Sequence, residues 1–265
     1  MTERVGRLAW LAPAALLLVL AAALVPTTDL LRLAGSPAAA DGMTEVIDEL
    51  PPDALVLVGF DPDLGTYAEI RPTVRVLLDD LLERDARLAL VSLTPEGRAL
   101  TIAERGRLLA GGVAAERLVD VGFVPGAEAA LVSLAGAIGE GLGGLPAEPI
   151  ALGLVVGGND IGPRSWVEQL APRVDGLTLV AVAPSVLLPE LQPYLESGQL
   201  RALLATPRDG AAYRDSVEPA AAGALGGPAP LAVFVGMLVA IGVLGAAVVS
   251  RLGEALRSSR GREAT

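Results

Sequence analysis

Two carboxylates two residues apart, Asp61 and Asp63, close an apolar run in the stretch Val58-Gly59-Phe60-Asp61-Pro62-Asp63-Leu64-Gly65-Thr66. Carboxylates so spaced can form a catalytic site, clamp a ligand such as a divalent cation, or shape a turn around Pro62. The rest of the chain narrows that choice. It contains no His and no Cys, and all 20 of its basic residues are Arg. This excludes thiolate and imidazole metal sites, Cys or Lys nucleophiles, a His base and any disulfide framework. Catalysis would fall to Asp, Glu, Ser, Thr, Tyr or a bound ion. These residues leave the cofactor open: the occupant they suit is a divalent cation, with Asp61, Asp63 and Asp160 as its candidate ligands, or a cationic ligand.

Other polar or small residues follow apolar runs in the same way. The candidate ligand-binding set is Asp61, Asp63 and Thr66, then Ser92 and Thr94, then Gly157, Gly158, Asn159 and Asp160, and finally Ser185 and Arg208. The same residue types cap helices and form turns, so each has a plain structural reading beside the functional one.

Short runs of Val, Leu, Ile and Ala predict strands at Ala54–Phe60, Arg87–Leu93, Leu118–Phe123, Ile150–Val156, Leu177–Val182 and Leu200–Ala205. Their near-continuous apolar character fits strands covered on both faces. Helical patterns lie between and after them, at Pro72–Arg84, Pro95–Ala110, Gly126–Ile138, Pro163–Leu170, Val186–Glu196 and Gly210–Val217. This alternation implies an α/β fold, a doubly wound, mostly parallel sheet of about six strands of the Rossmann-like kind. In such a sheet ligands sit beyond the carboxyl ends of the strands, where the candidate residues fall.

Asp61-Pro62-Asp63-Leu64-Gly65-Thr66 after the first strand resembles the signature of the haloacid-dehalogenase phosphatase superfamily. The resemblance implies Asp61 as nucleophile, Asp63 as general acid, Ser92 as phosphate binder and Asp160 as a Mg²⁺ ligand. The sequence departs from the pattern in the extra Leu64, the absence of any lysine and the absence of a cap insertion. Pro189–Leu204 is similar to a helix–turn–strand passage of the extracytoplasmic solute receptors of tripartite transporters. The whole layout resembles that of uncharacterised prokaryotic membrane proteins.

Two uncharged stretches flank the α/β region. Leu8–Thr28 is dense in apolar residues to Val25, and Leu231–Val249 is the apolar heart of Pro219–Ser250. Each is long enough to cross a bilayer as a helix. Arg4 and Arg7 precede the first, and Arg251, Arg257, Arg260 and Arg262 follow the second. Both termini are therefore expected in the cytoplasm and residues 41–218 outside the cell membrane. For the first stretch, retention as an anchor and cleavage as a signal both stay open, because Ser36-Pro37-Ala38-Ala39-Ala40-Asp41 offers small residues of the cleavage kind. The resulting division is a tail and membrane helix over 1–28, a linker over 29–52, the α/β domain over 53–218, a linker over 219–230, a membrane helix over 231–250 and a basic tail over 251–265.

Between the apolar stretches lie 14 of the 20 basic and 28 of the 31 acidic residues, a net charge of about −14. So acidic a surface argues against nucleic acid as a partner. The partners expected are the lipid bilayer and either other membrane proteins or a second copy, met through the C-terminal helix. The favoured function is a membrane-anchored binding or assembly module rather than an enzyme. The alternatives are a Mg-dependent phosphohydrolase using Asp61 and Asp63, and an accessory subunit of a transport system.

Ala232, Gly236 and Ala240 recur every four residues and form a small-residue stripe suited to close helix packing. Gly236→Leu is expected to reduce crosslinking of the intact chain to itself or to a membrane partner; unchanged crosslinking would remove the stripe from the interface.

Overall fold

The computed structural model describes residues 36–141, 144–158 and 161–217. Six strands, β1 (Leu55–Phe60), β2 (Arg87–Ser92), β3 (Leu118–Phe123), β4 (Leu152–Val156), β5 (Leu179–Pro184) and β6 (Ala202–Thr206), form one sheet in the order β3-β2-β1-β4-β5-β6. Every pairing is parallel. The fold is thus α/β and Rossmann-like, with each predicted strand present and its ends within about two residues of expectation.

The helices are α1 (Pro37–Asp48), α2 (Leu64–Glu83), α3 (Pro95–Ala110), α4 (Glu128–Ala137), α5 (Pro163–Ser165, running on as a π turn over Trp166–Leu170), α6 (Leu188–Glu196) and α7 (Arg208–Val217). Alternate residues of each central strand feed opposite cores, as the period of two requires. Val56, Val58 and Phe60 of β1 pack with α1, α2, α3 and α7, whereas Leu55 and Leu57 pack with α4, α5 and α6. Both faces are therefore covered, and the strands read as continuous apolar runs for that reason. Only the edge strand β3 mixes buried with exposed positions, including the exposed Asp120.

Two helices correct the sequence reading. Pro37–Asp48, inside the stretch read as a linker, is a helix whose Ala40, Met43, Val46 and Ile47 are buried in the core. Ser36 caps it and Pro37 opens it, so the residues that resemble a cleavage site are a helix start. The domain begins before residue 53 for the same reason. Helix α2 starts at Leu64 rather than Pro72 and carries Pro72 in its interior. Its buried face, Tyr67, Ile70, Val74, Leu77, Leu78 and Leu81, keeps helical spacing straight through the proline.

The apolar runs predicted to span a membrane, with the Ala232, Gly236 and Ala240 stripe, lie outside the described residues. Among the described residues no helix is long and apolar enough to cross a membrane.

Glycines mark where elements touch at their backbones. A Cβ on Gly59 of β1 would lie 2.1 Å from Cζ2 of Trp166, a fully buried ring on α5. Gly59→Ala is expected to cost about 1–3 kcal/mol in chemical denaturation, because the indole has no free space to enter. Gly106→Ala, in α3 with nothing within 4 Å of the new methyl, is expected to stabilise by about 0.5–1 kcal/mol. Equal effects at both positions would contradict this packing.

Candidate functional site

The strand order reverses direction between β1 and β4, and such a switch point opens a crevice beyond the carboxyl ends of the strands. Here the chain leaving β1 (Asp61, Pro62, Asp63) meets that leaving β4 (Gly157, Gly158). A Cβ on Gly157 would stand 3.2 Å from the Asp61 carbonyl oxygen. One on Gly158 would stand 2.8 Å from both Thr66 Cγ2 and Pro184 Cγ. The glycine pair therefore lets the exits of β1, β4 and β5 close together. Asn159 and Asp160 lie outside the described residues.

Asp61 is almost completely buried. Its Oδ1 accepts from the backbone N–H of Leu93 at 2.7 Å, the backbone N–H of Thr94 at 2.8 Å and the Thr94 hydroxyl at 3.0 Å. Thr94 Oγ1 in turn accepts from Gly97 N at 3.0 Å and caps α3. Gly97 leaves no room for a side chain, since its Cβ would come within 2.3 Å of the Phe60 carbonyl oxygen and 2.6 Å of Asp61 Oδ1. The carboxylate thus clamps the end of β1 to the start of α3. Burial pushes its carboxyl up to about 6, against the opposing pull of the three hydrogen bonds.

Asp63 has a different task. Its Oδ1 accepts from Thr66 N at 2.8 Å and its Oδ2 accepts from the Thr66 hydroxyl at 2.6 Å, which makes it the N-cap of α2. The Thr66 hydroxyl and backbone N–H hold this exposed carboxyl below the usual range. Asp63 therefore takes the anion position at the start of α2, while Thr94 takes that of α3 and Asp61 holds the two N–H groups just before it.

The remaining candidates divide. Ser92 is fully buried, and its hydroxyl donates to Thr101 Oγ1 at 2.8 Å, because Thr101 Oγ1 gives its own proton to Gly97 O at 2.8 Å. It is bound into the core beneath α3. Ser185 donates to the Thr206 carbonyl at 2.5 Å and ties the exits of β5 and β6. Arg208 pairs with the buried Asp209, Nε to Oδ1 at 2.9 Å. The structure thus joins Asp61 to Thr94 and Asp63 to Thr66, and brings Gly157 and Gly158 against both loops. Ser92, Ser185 and Arg208 make other contacts. Among the described residues no group of three or more Asp or Glu could hold a metal ion.

Sequence reasoning missed two members of this edge: Leu93, which supplies an N–H to Asp61, and Gly97, which admits the carboxylate. The Thr94-Pro95-x-Gly97 spacing carries the signal for Gly97, a glycine in the first turn of a capped helix. Leu93 contributes only backbone, which no side-chain pattern encodes. Comparison with protein-family models, curated proteins and solved structures finds no match.

The raised Asp61 value makes stability depend on pH. Below the ordinary carboxyl range both folded and unfolded chains are protonated. Between there and about 6 the folded chain holds more protons, so stability falls as pH rises, and above about 6 the cost is complete. Chemical denaturation of wild type and Asp61→Asn between pH 4 and 7 is expected to show wild type losing about 2–3 kcal/mol relative to the variant over that span. A difference independent of pH would mean that Asp61 titrates as an ordinary carboxyl.

Proposed function

We propose that the chain is a membrane-anchored, extracytoplasmic, Rossmann-like binding or assembly module whose ligand or partner docks at the switch-point crevice. The observation that carries this reading is the use made of the carboxylates. Asp61 and Asp63, the residues best suited to phosphoryl chemistry, are engaged as an internal clamp and a helix cap. Beside the exposed Asp63, the described residues at the crevice offer two large aliphatic side chains outward. Leu64 is 68 % exposed and Val186 is 79 % exposed, each two residues from a side chain that meets Gly158. Exposed aliphatic residues beside a small-residue floor suit contact with an apolar group. The membrane part of the proposal rests on the uncharged lengths of 8–28 and 231–250 and on their Arg-rich flanks.

A second reading, a Mg-dependent phosphohydrolase using Asp61 and Asp63, has one observation in its favour. Both carboxylates stand at the carboxyl end of β1, beside the switch point of the sheet.

Two measurements on the intact chain separate the readings. A thermal-shift screen of small apolar and cationic compounds is expected to find binders that raise Tm by about 5 °C at saturating concentration, an effect lost in Leu64→Asp/Val186→Asp. Phosphate release from an aryl phosphate with Mg²⁺ is expected to stay at background. Turnover abolished by Asp61→Asn would replace the binding reading with the phosphohydrolase.

A further inference from the structure

A pocket of about 300 Å³ lies along β6, an edge strand of the sheet, with α1 and α6 as its walls. Those walls are mostly small or aliphatic, with Ala38, Ala39 and Gly42 from α1 and Leu188 and Leu195 from α6 flanking the amide of Gln192. Two guanidinium groups, of Arg201 and Arg208, complete the lining beside the Asp209 carboxylate.

The charges do not cancel. Asp209 is buried, and its oxygens accept from Ser36 N at 3.1 Å and Ala205 N at 3.2 Å as well as from Arg208 Nε and Nη2. Its charge is met within the fold. Arg201 has only a loose pair with Glu45, at 3.7 Å between two exposed side chains, which carries little energy. Arg201 and Arg208 against Asp209 leave the lining with one excess positive charge, in a chain whose net charge is −11.

Gly42 adds a second observation. It sits inside α1, where glycine weakens a helix by about 0.5–1 kcal/mol relative to alanine. No close backbone approach requires it, since a Cβ there would meet nothing within 4 Å. Its lack of a side chain keeps the pocket open.

We propose that this pocket binds a monocarboxylate with a short aliphatic body. The carboxylate lies with the Arg201 and Arg208 guanidinium groups, and the hydrocarbon lies against Leu188, Leu195 and the small face of α1. One excess charge suits a monoanion better than a phosphate dianion, and the aliphatic part of the walls suits a hydrocarbon body. The volume is at the small end of the range for ligand pockets, which limits the body to a short chain.

The test is photolabelling of the intact purified chain, in nanodiscs of zwitterionic lipid, with an octanoate analogue bearing a diazirine on its tail, followed by peptide mapping. Labels are expected on the α1 and α6 segments that line the pocket, displaced by octanoate but not by octylammonium or inorganic phosphate. Arg208 is left intact because its loss would strand the buried Asp209 charge. Arg201→Glu, at a half-exposed side chain, is expected to reduce labelling about tenfold. Gly42→Trp, which fills the pocket from open space, is expected to abolish labelling while Tm is held or raised. A sixteen-carbon probe placed in the bilayer, too long for this volume, is expected to leave these segments unlabelled, and labelling by it would overturn the short-chain limit. Labels outside the pocket, full labelling of Gly42→Trp at unchanged Tm, or equal displacement by octylammonium would overturn the proposal.

Discussion

The close approach of β1 to the start of α3 is the constraint from which the rest of the carboxyl edge follows. The Phe60 carbonyl, Asp61 Oδ1 and Thr94 Oγ1 all lie within 3 Å of the place a side chain on Gly97 would occupy. Such a contact exists only with glycine there, and only with a carboxylate short enough to reach two backbone N–H groups. Burying that carboxylate is unfavourable, as its raised titration shows, and three directed donors make it tolerable. With β1 fixed to α3 on one side and to β4 on the other, the loop from Asp61 to Asp63 has one path, and α2 must begin where Asp63 can cap it.

Helix α2 carries that placement into the layer of helices around it. Twenty residues extend about 30 Å, from the crevice to the opposite end of the sheet. Along the way α2 meets two buried carboxylates. Glu104 of α3 accepts from the Tyr67 hydroxyl and from Arg75, both on α2, and from Arg107. Asp80 of α2 accepts from the Tyr213 hydroxyl of α7 and pairs with Arg84, which also reaches Asp48 of α1. Apolar packing alone would let four helices slide over a sheet of Val and Leu. These satisfied polar contacts give each a definite register against α2.

How far the sequence discloses this varies with the physics involved. Strands buried on both faces must be apolar throughout, so five are legible as runs of Val, Leu and Ala, and the edge strand β3 as a run broken by its exposed Asp120. Helix α1 is not, because Ala38, Ala39 and Ala40 after Ser36-Pro37 match a processing site as well as a first turn, and only its packing beneath β6 and α7 distinguishes them. The start of α2 is hidden by Pro72, whose helix-breaking tendency is overcome by the burial of Tyr67 and Ile70 on one side and Val74 and Leu77 on the other. At the crevice, residue type and strand-end position mark Asp61, Thr94, Gly157 and Gly158. They do not reveal that Asp61 turns toward the backbone of Leu93, or that Ser92, one position before, turns into the core. Adjacent residues of a strand face opposite sides, and a motif read as a string does not carry that alternation.

The same internal use of charge decides what each region offers a ligand. A helix start normally presents unpaired N–H groups and a partial positive charge to whatever lies in the crevice. Here Asp63 takes that position at α2 and Thr94 takes it at α3, with Asp61 on the two N–H groups just before it, so these two helix starts are met by the chain's own side chains. Among the described residues, Leu64 and Val186 stand exposed beside the switch point together with the capping carboxylate of Asp63. Along β6 the balance is reversed. Asp209 is satisfied by backbone N–H groups and Arg208, and the guanidinium of Arg201 stays loosely held, so positive charge remains beside an aliphatic wall. In a chain with more acidic than basic side chains, the location of an unspent arginine is therefore more informative about ligand chemistry than that of any single aspartate.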